Sequence, residues 1–136
     1  MQKRQLRTMI AVALVGVSTL AACTEGAGSS GRTLDAAAFA DLAESPGVVV
    51  LDVRTPEEFA SGHLPDALNI DVSAPGFAGR VAGLDTDTSY AVYCRTGNRS
   101  ATAMQVMLDA GIDSVAHLGG GVVAWAEAGG ELVAGP

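Results

Sequence analysis

Ser89 to Gly111 reads "SYAVYCRTGNRSATAMQVMLDAG", and the order of its parts decides the fold. "SYAVY" is an apolar run carrying aromatic and β-branched residues, which predicts a strand. "RSATAMQVMLDAG" predicts a helix that is apolar on most sides and ends at Gly111. Between them lies a short segment, Cys94-Arg95-Thr96-Gly97-Asn98. A lone thiol thus stands between a strand and a helix, with a glycine and two arginines beside it.

The same alternation continues on both sides. "VVVLDV", Val48 to Val53, is a continuous β-branched run, the pattern of a strand buried on both faces. Before it, "LDAAAFADLAES" has helical spacing, with Leu34, Phe39 and Leu42 available to a core and Asp35 as a cap, and Pro46-Gly47 breaks it. After it, "TPEEFASG" predicts a short helix: Thr55 is the N-cap, Pro56 takes the first position, Glu58 closes a capping box and Gly62 ends the helix. "ALNIDV" and "SVAHL" are further strand candidates, "FAGRVAGL" a short helix, and "GVVAWAEAGG" a final helix stopped by glycines. Strands that alternate with helices predict an α/β fold, a small, mostly parallel sheet flanked by helices on both faces in three layers. Ligands of such sheets bind beyond the carboxyl ends of the strands. Cys94 has that address.

The first 32 residues follow other rules. "MQKRQLR" carries Lys3, Arg4 and Arg7, and "TMIAVALVGVSTLAA" is small and apolar. Basic, then apolar, then small residues is the order of a secretory signal, and the apolar run is short for a membrane span of about 20 residues. Leu20-Ala21-Ala22-Cys23 resembles a bacterial lipobox. The expected organisation is therefore a lipoprotein signal peptide over 1–22, a lipidated Cys23 with a flexible Gly/Ser-rich linker over 23–32, and one domain over 33–136. The protein is expected outside the cytoplasm. Its lipid would sit in the outer face of the cytoplasmic membrane, or in the periplasm or outer membrane of a Gram-negative cell. Ordinary secretion with Cys23 free ranks second, and a retained membrane helix third.

The whole chain has a formal charge of −7. Removing residues 1–22 takes away Lys3, Arg4 and Arg7 and no acid, which moves it to −10, five arginines against fifteen acids. An acidic surface argues against nucleic acid and against electrostatic docking on anionic lipid, so lipid alone would hold the protein at a membrane. With Cys23 lipidated, Cys94 has no disulfide partner in the chain. An exported free thiol is a liability unless it is buried or used.

A thiol is a nucleophile only as thiolate, and at a free pKa of about 8.5 little of it is ionised near neutrality. Arg95 and Arg99 bring positive charge, Gly97 allows the loop to curl its N–H groups inward, and the following helix turns its N-terminus to the same spot. The bland alternative is a packed, inert cysteine with two surface arginines. A packed cysteine needs neither the glycine nor the paired cations.

Cys94-Arg95-Thr96-Gly97-Asn98-Arg99-Ser100 resembles the active-site loop of the rhodanese family, Cys-Arg-x-Gly-x-Arg-Ser/Thr. "LDVRTPEEFASGHLPDALNI" is similar to that family's first conserved block, and "HLGGGVVAWAEAGG" to its closing block, in the same order over nearly all of residues 33–133. The resemblance implies a rhodanese-like α/β/α fold and a sulfurtransferase without metal or cofactor. Cys94 takes the outer sulfur of a small anionic donor such as thiosulfate as a persulfide and passes it to cyanide, a thiol or a partner protein. By the same resemblance the amides of Arg95, Thr96, Gly97, Asn98 and Arg99 cradle the persulfide, Arg95 attracts the donor at the rim, and Arg99 braces the loop. Asp52 and Arg54 match the family's Asp-Val-Arg and are read as ion-pair support, with Asp52 facing Arg99. A solvated, weak charge pair is the plain alternative. Glu58 is read as a helix cap, His63 as structural, His117 as a core or strand-end residue, and Trp125 as a core anchor for the last helix. Asp66 stands where the family often has glycine, in a turn whose left-handed geometry Asp tolerates.

Two rival readings stay open. Phosphatases and arsenate reductases use Cys, five residues, Arg, whereas Cys94 and Arg99 are separated by four. The tighter ring suits one sulfur better than a tetrahedral oxyanion. The second rival is an anchored persulfide carrier or redox-sensing module with little turnover.

Overall fold

The computed structural model describes residues 31–136. The expected signal peptide, Cys23 and the linker up to residue 30 lie outside the described residues. The elements run β1 (Arg32–Leu34), α1 (Ala36–Ala43), β2 (Val48–Asp52), α2 (Pro56–Ser61), β3 (Leu68–Asn69), α3 (Phe77–Ala82), β4 (Ser89–Tyr93), α4 (Asn98–Asp109), β5 (Val115–Leu118) and α5 (Gly121–Glu127). The strands form one sheet in the order β1-β5-β4-β2-β3, with every pairing parallel.

Period-two alternation sends the side chains of the central strands into two cores. Leu51 and Val53 of the β2 segment, with Tyr90, Val92 and Cys94 of the β4 segment, pack with Phe77, Val81, Ala103 and Met107 of α3 and α4. Val50, Ala91, Tyr93 and Leu118 pack on the other face with Phe39 of α1, Val122 of α5 and the half-buried Phe59 and Trp125. The sheet is therefore covered on both sides, which is why its central strands read as unbroken apolar runs. Cys94, by parity, belongs to the α3/α4 face.

Local signals act where the sequence places them. Asp35 caps α1, accepting from the Ala38 N–H at 2.9 Å. Thr55 and Glu58 form the complete capping box of α2, with Pro56 at its first position. Asp66 takes the left-handed turn at φ 59°. Trp125 donates its indole N–H to the Glu131 carbonyl and meets Phe39 edge-on. His63 donates Nδ1 to the Phe59 carbonyl and stacks on the Phe59 ring, a structural role as expected.

Three features differ from the sequence reading. β1 was not anticipated. Arg32, counted with the linker, and Leu34, counted with the first helix, lie in a three-residue edge strand that exists because β5 offers its backbone to pair with. β3 spans Leu68 and Asn69 only, although Ile70 and Val72 still donate to the Asp52 and Val53 carbonyls of the β2 segment at 2.9 and 3.1 Å. Finally, α4 buries one stripe, Ser100, Ala103 and Met107, rather than most of its surface.

Candidate active site

Chain connections diverge between β2 and β4: β2 leads outward to β3 at one edge, and β4 leads outward to β5 on the other side. The carboxyl ends of β2 and β4 flank this switch point, where open parallel sheets bind ligands. The β4 strand delivers Cys94 to it. The Val122 and Val123 N–H groups donate to the Cys94 and Arg95 carbonyls at 2.9 and 3.2 Å, seating the loop on the turn that begins α5. That seating requires glycine twice. Gly97 has φ 105°, and a side chain there would collide with the Gly119 carbonyl. Gly121 has φ 62°, and a side chain there would strike the Arg95 carbonyl.

The Cys94 side chain is 1% exposed and unpaired. Its sulfur accepts the Gly97 N–H at 3.1 Å and lies 3.5 Å from the Ser100 hydroxyl. Burial pushes the thiol pKa up. The Ser100 hydroxyl and the amides of Ser100, Gly97 and Thr96 outweigh it and hold the thiol below its ordinary value. The site thus stabilises negative charge on sulfur with peptide dipoles and one hydroxyl rather than with a contacting cation. Arg95, Thr96 and Asn98 are exposed at the rim, and Arg95 forms no ion pair among the described residues.

Arg99 braces the loop, but against a partner other than the expected one. It meets Glu58 in a two-pronged pair, Nη1 to Oε2 and Nη2 to Oε1, both 2.8 Å. Oε2 also accepts the Thr55 N–H. The Arg99 guanidinium, more than any other contact, holds the Glu58 carboxyl down at about 2. Glu58 in turn raises the pKa of Arg99. Glu58 is therefore both the cap of α2 and the clamp that ties α2 to the loop.

Asp52 does not face Arg99. Its carboxylate is fully buried and is taken up by Arg54, whose Nε donates to both oxygens at 3.0 Å and whose Nη2 donates to Oδ2 at 2.6 Å. Parity explains the difference: Asp52 and Arg54 share the face of Val50 and Tyr93, with the Arg54 guanidinium over the Tyr93 ring, whereas α4 packs on the opposite face. Nor is the pair solvated. Arg54 also donates to the Gly62 carbonyl at 2.7 Å, and the Asn69 amide donates to the carbonyls of both Asp52 and Arg54. Together these bonds lock the end of β2, and Val53 donates to the Tyr93 carbonyl just before Cys94.

Sequence reasoning missed four contributors: Glu58 as clamp, Ser100 as neighbour of the sulfur, His117 as partner of Ser100, and the Gly119–Gly121 seat. The three consecutive glycines before the last helix were the available signal for the seat. A cavity of about 660 Å³, lined by Val48, Val50, Leu64, Leu68 and Trp125 among others, includes none of the loop residues.

Fold and site together define a doubly covered parallel α/β domain that holds a buried thiol of lowered pKa at a strand end. The chain belongs to the Rhodanese-like domain family, which matches residues 35–128. It is 37% identical over 93 residues to a protein of Allochromatium vinosum named sulfurtransferase, covering 68% of this chain and 85% of that one. An uncharacterized protein of Synechocystis is 36% identical over 90 residues, covering 65% of this chain and 48% of that one, so this chain spans about half of that relative. A rhodanese-related protein of Thermoplasma volcanium superposes with a TM-score of 0.66 at 33% identity, over 75% of this chain and 97% of that one.

Proposed function

We propose that the protein is a sulfurtransferase that carries sulfane sulfur as a persulfide on Cys94, from a small anionic donor such as thiosulfate to a thiol or cyanide. The thiolate attacks the outer sulfur of the donor, a new sulfur–sulfur bond forms, and sulfite leaves with the electron pair of the bond that breaks. The acceptor then attacks the outer persulfide sulfur, and the pair in the Cys94–sulfur bond returns to Cys94 as thiolate. The observation that carries this reading is the buried Cys94 sulfur under the Gly97 N–H at 3.1 Å, with its pKa held down by the loop. An amide ring around a position already occupied by sulfur suits one more sulfur atom. Arg95, exposed and unpaired among the described residues, supplies attraction for an anionic donor at the rim.

Incubation with thiosulfate followed by intact mass spectrometry tests the first half: Cys94 gains one sulfur, and Cys94→Ala gains none. Thiocyanate formation from thiosulfate and cyanide tests the second. Turnover that survives Cys94→Ala would overturn the reading. The 1% exposure of Cys94 favours a second reading, an anchored carrier that keeps its persulfide for one partner protein. A stable persulfide with negligible thiocyanate production distinguishes it.

The same proposal places the protein outside the cytoplasm, held by lipid on Cys23 after removal of residues 1–22. Lys3, Arg4, Arg7, the apolar run and Leu20-Ala21-Ala22-Cys23 support this. Metabolic labelling with palmitate in a bacterial host marks the wild-type chain and leaves Cys23→Ala unlabelled. Labelling that ignores Cys23 removes the anchor from the account.

A further inference from the structure

Behind the Cys94 sulfur runs a line of polar side chains, of which the site described above uses only the first, Ser100. Ser100 Oγ, fully buried on the first turn of α4, lies 3.5 Å from the sulfur, 3.1 Å from the Gly97 carbonyl and 2.9 Å from His117 Nδ1. His117 Nε2 lies 3.0 Å from the Thr33 hydroxyl on the exposed edge strand β1. His117 is 5% exposed. It occupies β5 opposite Val92, so its ring shares the α3/α4 face with Cys94.

We infer that Ser100, His117 and Thr33 form a hydrogen-bond chain that points a hydroxyl proton at the Cys94 sulfur, and that His117 is a positioning residue for this nucleophile. The inference rests on the reading of Cys94 as the reacting group. A hydroxyl has one proton to give. Ser100 can give it to the Gly97 carbonyl, to His117 Nδ1 or to the sulfur. If Nδ1 is bare it takes that proton, and the thiolate loses the one hydroxyl donor it has among the described residues. If Nδ1 carries a hydrogen, it donates to Ser100 Oγ and leaves the Ser100 proton to the stronger acceptor, the charged sulfur. Neutral His117 with a proton on Nδ1 has a bare Nε2, and the Thr33 hydroxyl, a donor at 3.0 Å, satisfies it. Burial disfavours the charged ring, so the imidazole is neutral near pH 7. Both hydroxyls can donate or accept, and of the two neutral tautomers the one protonated on Nδ1 is the one that leaves the Ser100 proton to the sulfur.

The groups facing the ring are Ser100 from α4, Thr33 from β1 and Val92 from β4, and no charged side chain bonds either ring nitrogen among the described residues. Around the sulfur, Arg99 is the ionised group coupled to it. The chain therefore acts through hydrogen bonds rather than through a second charge.

The test is the pH dependence of Cys94 alkylation by iodoacetamide in the purified full-length protein, a reaction that needs no sulfur donor. His117→Leu removes the donor at Nδ1 and should raise the apparent pKa of Cys94 by about one unit, a tenfold loss of thiolate below it. His117→Asn places an amide N–H where Nδ1 stood and should restore most of the shift, although it fills the site less well than Leu. Ser100→Ala should shift the profile as His117→Leu does, and the double variant should shift it no further. Thr33→Val, isosteric at an exposed position, should give a smaller shift of the same sign. An unchanged profile in His117→Leu, or His117→Asn no better than His117→Leu, overturns the inference. Should His117→Leu not fold, Ser100→Ala and Thr33→Val decide: unchanged profiles in both overturn it. Because alkylation is independent of sulfur transfer, this chain can fail while the sulfurtransferase reading stands. A protein with the expected profiles but no persulfide would sink the function and leave the chain.

Discussion

At the scale of single residues, two acids differ in what lowers their pKa. The pKa of Cys94 is held down against its burial, by amides and a hydroxyl brought together in the folded loop. A depressed folded pKa stabilises the fold at pH above the unfolded value and loses that contribution as pH falls through the folded value. Alkylation of the native protein should therefore have its half-point below that of the unfolded chain. In urea it should return to about 8.5. A half-point that does not move on unfolding would show that the loop does nothing for the sulfur. Glu58 is depressed for a different reason, the Arg99 guanidinium first and the Thr55 N–H after it. Its contribution is full above about 4.5 and disappears as pH falls towards 2. Glu58→Gln keeps an acceptor for the Thr55 N–H and should cost about 1 kcal/mol at pH 7 through loss of the partly exposed, two-pronged ion pair. The gap to wild type should close in acid, as chemical denaturation at pH 7 and pH 2 would show. A gap that persists unchanged at pH 2 would mean that the charge on Glu58 carries none of it.

At the scale of elements, the unit β4–loop–α4 depends on glycines of two kinds. Gly97 has both a positive φ and no space, because the Gly119 carbonyl stands where its Cβ would go. Gly111, which ends α4, has φ 87° and open space around it. Gly111→Ala should cost about 1 kcal/mol from backbone strain alone and leave alkylation of Cys94 unchanged. Gly97→Ala should cost more, about 2–3 kcal/mol, and should slow alkylation as well, since it lifts the loop off its seat. Thermal melts paired with alkylation rates separate the two. Equal stability losses, with the reactivity of Cys94 intact in both variants, would contradict the seating of the loop. The elements themselves were largely legible in the sequence. The capping box at Thr55 and Glu58, the Asp35 cap and the buried central strands arise from contacts within a few residues or from period-two burial. β1 was illegible because Arg32-Thr33-Leu34 has no strand pattern of its own and is recruited by the backbone of β5.

At the scale of the whole molecule, the two faces of the sheet do separate work. The face of Val50 and Tyr93 buries the Asp52–Arg54 pair, whose Arg54 ties β2 to the end of α2, while the Asn69 amide ties the same backbone to β3. The face of Val92 and Cys94 carries the buried thiol, with Ser100 beside it and His117 behind Ser100. Removing one partner of a buried pair leaves the other charge uncompensated. Asp52→Ala should therefore cost about 3–5 kcal/mol, and replacing both partners, Asp52→Ala with Arg54→Met, should recover part of the loss. Denaturation of the single and double variants checks this. A double variant no more stable than the single would mean that the stranded charge was not the cost.

The sequence by itself determined the parallel α/β class, the address of Cys94 at the end of a strand, the glycine-bearing loop around it and the cap of α2. These follow from periodicity and from bonds between near neighbours in the chain. Only the tertiary structure decided which acid meets Arg99 and what stands behind the sulfur. Glu58 lies 41 residues from Arg99, and His117 is 17 from Ser100. Asp52 was the nearer guess by motif, but strand parity turns it to the other face, where Arg54 already satisfies it. The choice among groups of like charge is made by the pairing order of the strands and the face each helix covers, and neither is written in any single segment.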